Sequence, residues 1–119
     1  MSAGNYFLTR KKAFDLREVT VNAATYTAKV GAPSDEFVED RVINVNVAPC
    51  TITIPDGRYE GQRILVNCVD TDIAGTIAVE PDTPAAASDL ALTVLGNYGT
   101  FEWVNSTAGW VTLASWEGA

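Results

Sequence analysis

The sequence has no histidine and only two cysteines, Cys50 and Cys68, among its 119 residues. Histidine is the base of the common nucleophilic triads and, with cysteine, the usual zinc ligand. A single chain of this composition therefore cannot assemble those triads or a common zinc site. We predict a non-enzyme with no catalytic residue, no metal site and no cofactor. In a reducing cytoplasm we expect both cysteines to be small buried side chains rather than a disulfide.

Basic residues are scarce, and the second half of the chain has none. The chain has 15 acidic and 8 basic residues, a net charge of −7, and residues 64–119 contain no lysine or arginine. A surface of this charge disfavours broad attraction to nucleic acid or to an anionic membrane. We expect neither as a partner.

Long apolar runs are also missing. None approaches the roughly 20 residues that cross a bilayer, and the N-terminus lacks the basic and apolar regions of a secretory signal. With 47% hydrophobic residues, the length suits one compact soluble domain. We predict an N-terminal arm over residues 1–16 and a single β domain over residues 17–119.

What the sequence has in abundance is β-branched residues: 32 of 119 are valine, isoleucine or threonine. Apolar residues alternate with polar ones, and glycine-containing clusters such as Pro55-Asp56-Gly57 separate the alternating segments as turns in which glycine supplies a positive φ. The pattern predicts an all-β fold, specifically a small antiparallel β-sandwich or jelly roll. The alternating positions are Val45 and Val47; Cys50, Ile52 and Ile54; Ile64, Val66 and Cys68; Ile77 and Val79; Leu90, Leu92 and Val94; Phe101 and Trp103.

The flanking segments are predicted in less detail. Residues 17–21 and 25–30 are expected to form two short strands. The clusters at 96–99 and 105–109 are expected to be hairpin turns. Residues 81–88, with two prolines and no large apolar side chain, are expected to form an exposed loop.

Aromatic residues cluster near the C-terminus and admit two interpretations. Tyr98, Trp103, Trp110 and Trp116 could present flat faces to a sugar. Alternation, however, puts Phe101 and Trp103 on one strand face, where large aromatics usually fill a core or a subunit contact. We favour burial and assign Phe101, Trp103 and Trp110 to a subunit contact.

Acidic residues close in sequence are candidates for an acid–base pair or for calcium ligands. Asp70 and Asp72 lack the further ligands and the glycine of a calcium loop. Glu36, Glu39 and Asp40 fit a solvated turn more simply. We expect neither group to be a site.

The N-terminus combines apolar and basic residues. An apolar patch that contains Tyr6 and Phe7 is followed by Arg10, Lys11 and Lys12. This combination fits a docking arm, and a frayed, solvated terminus explains it equally well.

Residues 50–113 resemble a β module of tailed-bacteriophage structural proteins, found in capsid decoration (cement) proteins, head fibres and tail fibres. The pattern is a strand that ends at a proline turn, a glycine-led strand that ends in asparagine, a short strand, and a closing aromatic hairpin. At residues 80–88 a proline and alanine stretch replaces the usual Gly-Asp turn. The matching segments are Ile52-Thr53-Ile54-Pro55-Asp56-Gly57, Gly61-Gln62-Arg63-Ile64-Leu65-Val66-Asn67, Gly75-Thr76-Ile77-Ala78-Val79, Phe101-Glu102-Trp103 and Gly109-Trp110-Val111-Thr112-Leu113.

The resemblance implies a decoration protein that binds the outer surface of the mature capsid as an oligomer, which we predict to be a homotrimer, and stabilises it. Its partners would be the major capsid protein and copies of itself. It would be made in the bacterial host cytoplasm and located on the virion. An N-terminal arm of such a protein would contact the shell through Tyr6, Phe7, Arg10, Lys11 and Lys12.

Two other functions stay open. A head-fibre or tail-fibre domain would bind a host glycan or surface receptor through Tyr98 or through Asn105 to Thr107. A non-viral carbohydrate-binding module is a third interpretation.

Overall fold

The computed structural model describes residues 15–31, 38–71, 73–81 and 89–118. Over these residues the chain is all β without a helix, which confirms the predicted class. The two short strands expected near the start of the domain are present, but the second ends at Thr27 and not at residue 30. The strands are β1 (Asp15–Val21), β2 (Thr25–Thr27), β3 (Val38–Val45), β4 (Cys50–Ile54), β5 (Arg63–Cys68), β6 (Ile77–Pro81), β7 (Leu90–Leu92), β8 (Tyr98–Trp103) and β9 (Trp110–Trp116).

The strands form two mixed sheets, not the antiparallel sheets expected. One sheet has the order β1-β3-β5-β8-β9 and the other the order β2-β4-β6-β7. From β1 to β6 the chain alternates between the sheets, and the pairs β1/β3, β3/β5, β2/β4 and β4/β6 are parallel. Between two neighbouring strands of one sheet the chain passes through a strand of the other sheet. This connection returns the chain to the end at which the earlier strand began, so the two neighbours run in parallel.

The last strands are antiparallel, and one of the two predicted hairpins is present. Residues 105–109 join β8 to β9, and Asn105 Oδ1 accepts hydrogen bonds from the backbone N–H groups of Thr107 (2.9 Å) and Ala108 (2.7 Å). The hairpin predicted at 96–99 is wrong. Strands β7 and β8 lie in different sheets, so this segment is a crossover between them.

The core is built from the inward-facing residues of both sheets. In β4, β5, β6, β7 and β8 alternation places every second side chain on the buried face, and burial of this apolar surface stabilises the fold. Both cysteines are free and buried, as expected. One hydrophobic cluster contains Val21, Ala28, Val30, Ile43, Val45, Cys50, Ile52, Ile54, Ile64, Val66, Cys68, Ile77, Val79, Leu90, Leu92, Phe101, Trp103 and Trp110.

A β-bulge in β9 changes which of its side chains face outward. Phe101 pairs with Thr112 and Thr100 with Ala114, so Leu113 has no partner on β8. An extra residue of this kind shifts the alternation by one position. Trp110, before the bulge, is therefore buried, whereas Trp116, after it, is 45% exposed.

Two further predictions need correction. Pro81 is not part of an exposed loop: it ends β6, pairs with Ile54 and is buried, while residues 82–88 lie outside the described residues. Gly57 does not supply a positive φ. A Cβ atom there would lie 2.3 Å from Trp103 Cγ, so this position needs glycine because the indole packs against its backbone.

Candidate functional site

A polar cluster fastens β1 to the body of the protein. Arg17 Nε on β1 lies 2.5 Å from Asp40 Oδ1 on β3, and Arg17 Nη2 donates to Tyr26 Oη at 3.0 Å. Tyr26 Oη donates to Asp40 Oδ2 at 2.6 Å, and the backbone N–H of Lys29 donates to the same oxygen at 2.9 Å. Strands β1, β2 and β3 thus meet at one buried carboxylate. A charged group in the interior requires such hydrogen-bonding partners.

These contacts raise the pKa of Arg17 and of Tyr26. The hydrogen bond to Asp40 raises the pKa of the Arg17 guanidinium. Burial, followed by the hydrogen bond to Asp40, raises the pKa of Tyr26 to about 12. Both groups keep their protons at neutral pH, so Asp40 is held between a cation and a hydroxyl donor.

The neighbouring carboxylate, Glu39, is also buried, and its hydrogen-bond partner is different from those of Asp40. Tyr59 Oη donates to Glu39 Oε2 at 2.7 Å, and burial with this bond raises the pKa of Tyr59 to about 12. Glu39 and Asp40 were expected in a solvated turn, but they are 1% and 0% exposed and belong to β3. The sequence shows the acidic run but not the distant tyrosines and arginine that compensate its burial.

The predicted capsid-docking residues, Tyr6, Phe7, Arg10, Lys11 and Lys12, lie outside the described residues. Their place in the chain relative to the cluster is nevertheless defined, because β1 begins at Asp15. The basic segment at 10–12 therefore precedes the strand that Arg17 fastens to Asp40.

The predicted subunit-contact residues lie in the core of one chain. Phe101, Trp103 and Trp110 are 0%, 6% and 1% exposed, and the two indole rings pack edge to face with centroids 5.5 Å apart. Trp110 Nε1 donates to the carbonyl of Pro55 at 2.8 Å. Burial of these aromatics is confirmed. A subunit contact through them stays a prediction, and little of their surface is left for a second chain.

The outer face of the five-stranded sheet carries a row of polar and aromatic side chains. Strand register places Asn44 beside Asn67, Asn67 beside Tyr98, and Tyr98 beside Trp116. We call these four residues the outer row. Alternation predicts that Asn44, Asn67 and Tyr98 face away from the core, whereas Trp116 faces outward because of the bulge in β9. Only the pairing of the strands brings the four together.

The two candidate receptor sites lie at opposite ends of β8. Tyr98 begins the strand, whereas Asn105 to Thr107 form the exposed turn after its end. The length of β8, roughly 17 Å between its first and last residues, separates them, so a single sugar unit cannot contact both.

Strand β9 is an outer strand of its sheet. Its seven residues carry no charge, and Leu113 at the bulge is 46% exposed. The free side of an outer strand presents unpaired backbone donors and acceptors, and charged residues usually protect it from other chains. β9 lacks that protection.

The acidic residues that are candidate metal ligands do not form a metal-binding cluster among the described residues. Among the described residues, no group of three or more histidine, cysteine, aspartate or glutamate side chains could hold a metal ion. Asp72 and Glu36 lie outside those residues. The described part of the chain contains no helix with the length and apolar character needed to span a membrane.

No model of a known protein family matches the chain, and no curated protein matches it. The sequence resemblance and the geometry are therefore the grounds for the functional proposal.

Proposed function

We propose that the protein is a tailed-phage capsid decoration protein that binds the outer surface of the mature shell and stabilises it. The sequence pattern behind this proposal falls on β4, β5, β6 and the β8–β9 hairpin, in the order that the phage module has. We also propose that the two sheets stack as a β-sandwich, because their inward side chains share one core.

The observation that carries the proposal is the fastening of β1. A protein that clamps a shell through an N-terminal arm must pass load from that arm to its core. Arg17 joins the strand after the arm to wholly buried Asp40 at 2.5 Å, and Tyr26 adds a second connection to the same carboxylate at 2.6 Å. In this proposal Tyr6, Phe7, Arg10, Lys11 and Lys12 contact the major capsid protein.

Binding to the assembled lattice alone stabilises it by linkage, since the free energy of binding is lost when the shell ruptures. An oligomer that spans several capsid subunits adds avidity. We propose a homotrimer; Phe101, Trp103 and Trp110 are buried, so little of their surface is left for its contact.

Occupancy on expanded capsids tests the proposal. Deletion of residues 1–12 is expected to abolish binding while the thermal unfolding midpoint stays within a few degrees of the parent value. Arg17→Met is expected to weaken binding, whereas Arg63→Met, which breaks the exposed pair with Glu102, is the matched control. Full occupancy by the truncated chain would reject the arm.

Electron microscopy of the virion would then separate the two virion locations. Density on the shell supports decoration. Density on a fibre supports the second candidate, a head-fibre or tail-fibre domain, which is favoured by the exposed aromatic Trp116 on the outer row.

A further inference from the structure

We propose that the outer row, Asn44, Asn67, Tyr98 and Trp116, binds a neutral oligosaccharide. The inference does not depend on where in a virion the protein lies, because it rests only on the side chains of one sheet face. Their four strands are adjacent in the order β3-β5-β8-β9. With strands about 4.8 Å apart, the row is about 14 Å long, which suits several sugar units better than one.

The amide end of the row is held in a fixed orientation. Asn67 Nδ2 donates to Asn44 Oδ1, and Asn44 Nδ2 donates to Glu18 Oε2 at 2.6 Å. A side-chain amide has two N–H groups and a carbonyl oxygen with two lone pairs, so these bonds use only part of each amide. The remaining capacity matches the paired donor and acceptor character of sugar hydroxyls. Because the amides are already ordered, binding would cost less side-chain entropy.

The aromatic end is also ordered. A Cβ atom on Gly96 would lie 3.1 Å from Trp116 Cζ3, so the glycine lets the indole rest against the backbone. Just after Trp116, Glu117 Oε1 accepts from the Ala91 N–H at 2.8 Å, and the Gly118 carbonyl accepts from Asn97 Nδ2 at 2.9 Å. These bonds hold the end of β9, where Trp116 pairs with Tyr98 of β8. The indole ring offers an apolar surface to the C–H face of a pyranose.

Charge selects the class of ligand. Glu18 contacts one end of the row and Glu117 follows the other, and residues 64–119 supply no lysine or arginine. Arg63, on the same strand as Asn67, is paired with Glu102 at 2.8 Å. The Glu18 carboxylate repels phosphate, sulfate and carboxylate groups at the amide end of the row. A neutral glycan meets the hydrogen-bonding and stacking groups of the row without that repulsion.

Calorimetric titration of the full chain with cellotetraose, maltotetraose and chitotetraose tests the proposal. These probes are soluble and monovalent, so the oligomeric state does not enter the Kd. We expect at least one to bind with a Kd of millimolar or tighter. Trp116→Ala and Asn67→Ala are each expected to weaken that binding about tenfold or more, and Trp116→Phe, which keeps a ring, is expected to retain most of it.

Leu113→Ala is the matched control, because Leu113 is on the same strand and is 46% exposed against 45% for Trp116. Its Kd should equal that of the parent. The proposal is overturned if none of the three tetrasaccharides binds, or if Leu113→Ala weakens binding as much as Trp116→Ala. Tighter binding of a sulfated tetrasaccharide would overturn the charge argument. Loss of binding in Thr107→Ala alone would place the site at the hairpin turn.

Discussion

Arg17 Nε lies 2.5 Å from Asp40 Oδ1, and the carboxylate is wholly buried while the arginine side chain is 33% exposed. Removing the cation would leave a buried charge with only Tyr26 and the Lys29 backbone as donors. We expect Arg17→Met to lower the free energy of unfolding by about 2 kcal/mol. Denaturant unfolding at pH 7 measures this.

The control for that measurement is Arg63→Met. The Arg63–Glu102 pair is exposed, with side chains 57% and 27% accessible, so its loss should cost about 0.5 kcal/mol or less. Equal losses of unfolding free energy in Arg17→Met and Arg63→Met would show that the burial of Asp40 does not set the strength of the Arg17–Asp40 pair.

Stability is expected to fall at high pH. Tyr26 and Tyr59 each have a pKa raised to about 12 in the folded chain, against about 10 for an unfolded tyrosine. Above pH 10 the unfolded state releases protons that the folded state retains, so the stabilisation present below pH 10 is lost as the pH rises to 12. Burial also raises the pKa of the Cys50 thiol. This shift likewise lowers the stability of the folded chain as the pH rises above about 9.

Urea unfolding midpoints at pH 8, 10 and 12 test this pH dependence. Tyr26→Phe and Tyr59→Phe should each be less stable than the parent at pH 8 and should show a flatter decline above pH 10. A decline as steep as that of the parent in both variants would assign the effect to other groups.

Two glycines of the β4–β5 connection should respond differently to alanine. At Gly57 a Cβ would lie 2.3 Å from Trp103 Cγ, and we expect Gly57→Ala to cost about 3 kcal/mol, since a buried indole must move. Gly61 has φ +88 but nothing within 4 Å of its Cβ position, so Gly61→Ala should cost only about 1 kcal/mol of backbone strain. Thermal unfolding would rank them, and the reverse order would contradict the packing at Trp103.

Thr112 offers a stabilising substitution. Among the described residues its Oγ1 is a buried side-chain oxygen without a hydrogen-bond partner. Thr112→Val keeps the shape and removes the hydroxyl, so we expect a gain of about 1 kcal/mol. Thr100→Val, on the outer face of β8, is the control and should change stability by less. A loss of stability in Thr112→Val would show that the hydroxyl does have a partner in solution, such as a water molecule.

Much of the fold can be predicted because alternation is a local property. Ile64, Val66 and Phe101 are buried where the period-two pattern puts them. The same pattern does not distinguish parallel from antiparallel neighbours when the outer face is solvated, so the mixed sheets were not foreseen. The bulge at Leu113 reverses the alternation within β9 and exposes Trp116, which no count along the chain reveals.

The sequence by itself determined an all-β chain with buried free cysteines and a surface without basic residues in its second half, because composition and alternation act on neighbouring residues. The tertiary structure alone decided the burial of Asp40 beside Arg17, the need for glycine at 57, and the outer row from Asn44 to Trp116. Each of these joins residues far apart in the chain. The order in which strands pair depends on the packing of the whole core, and no local pattern encodes it.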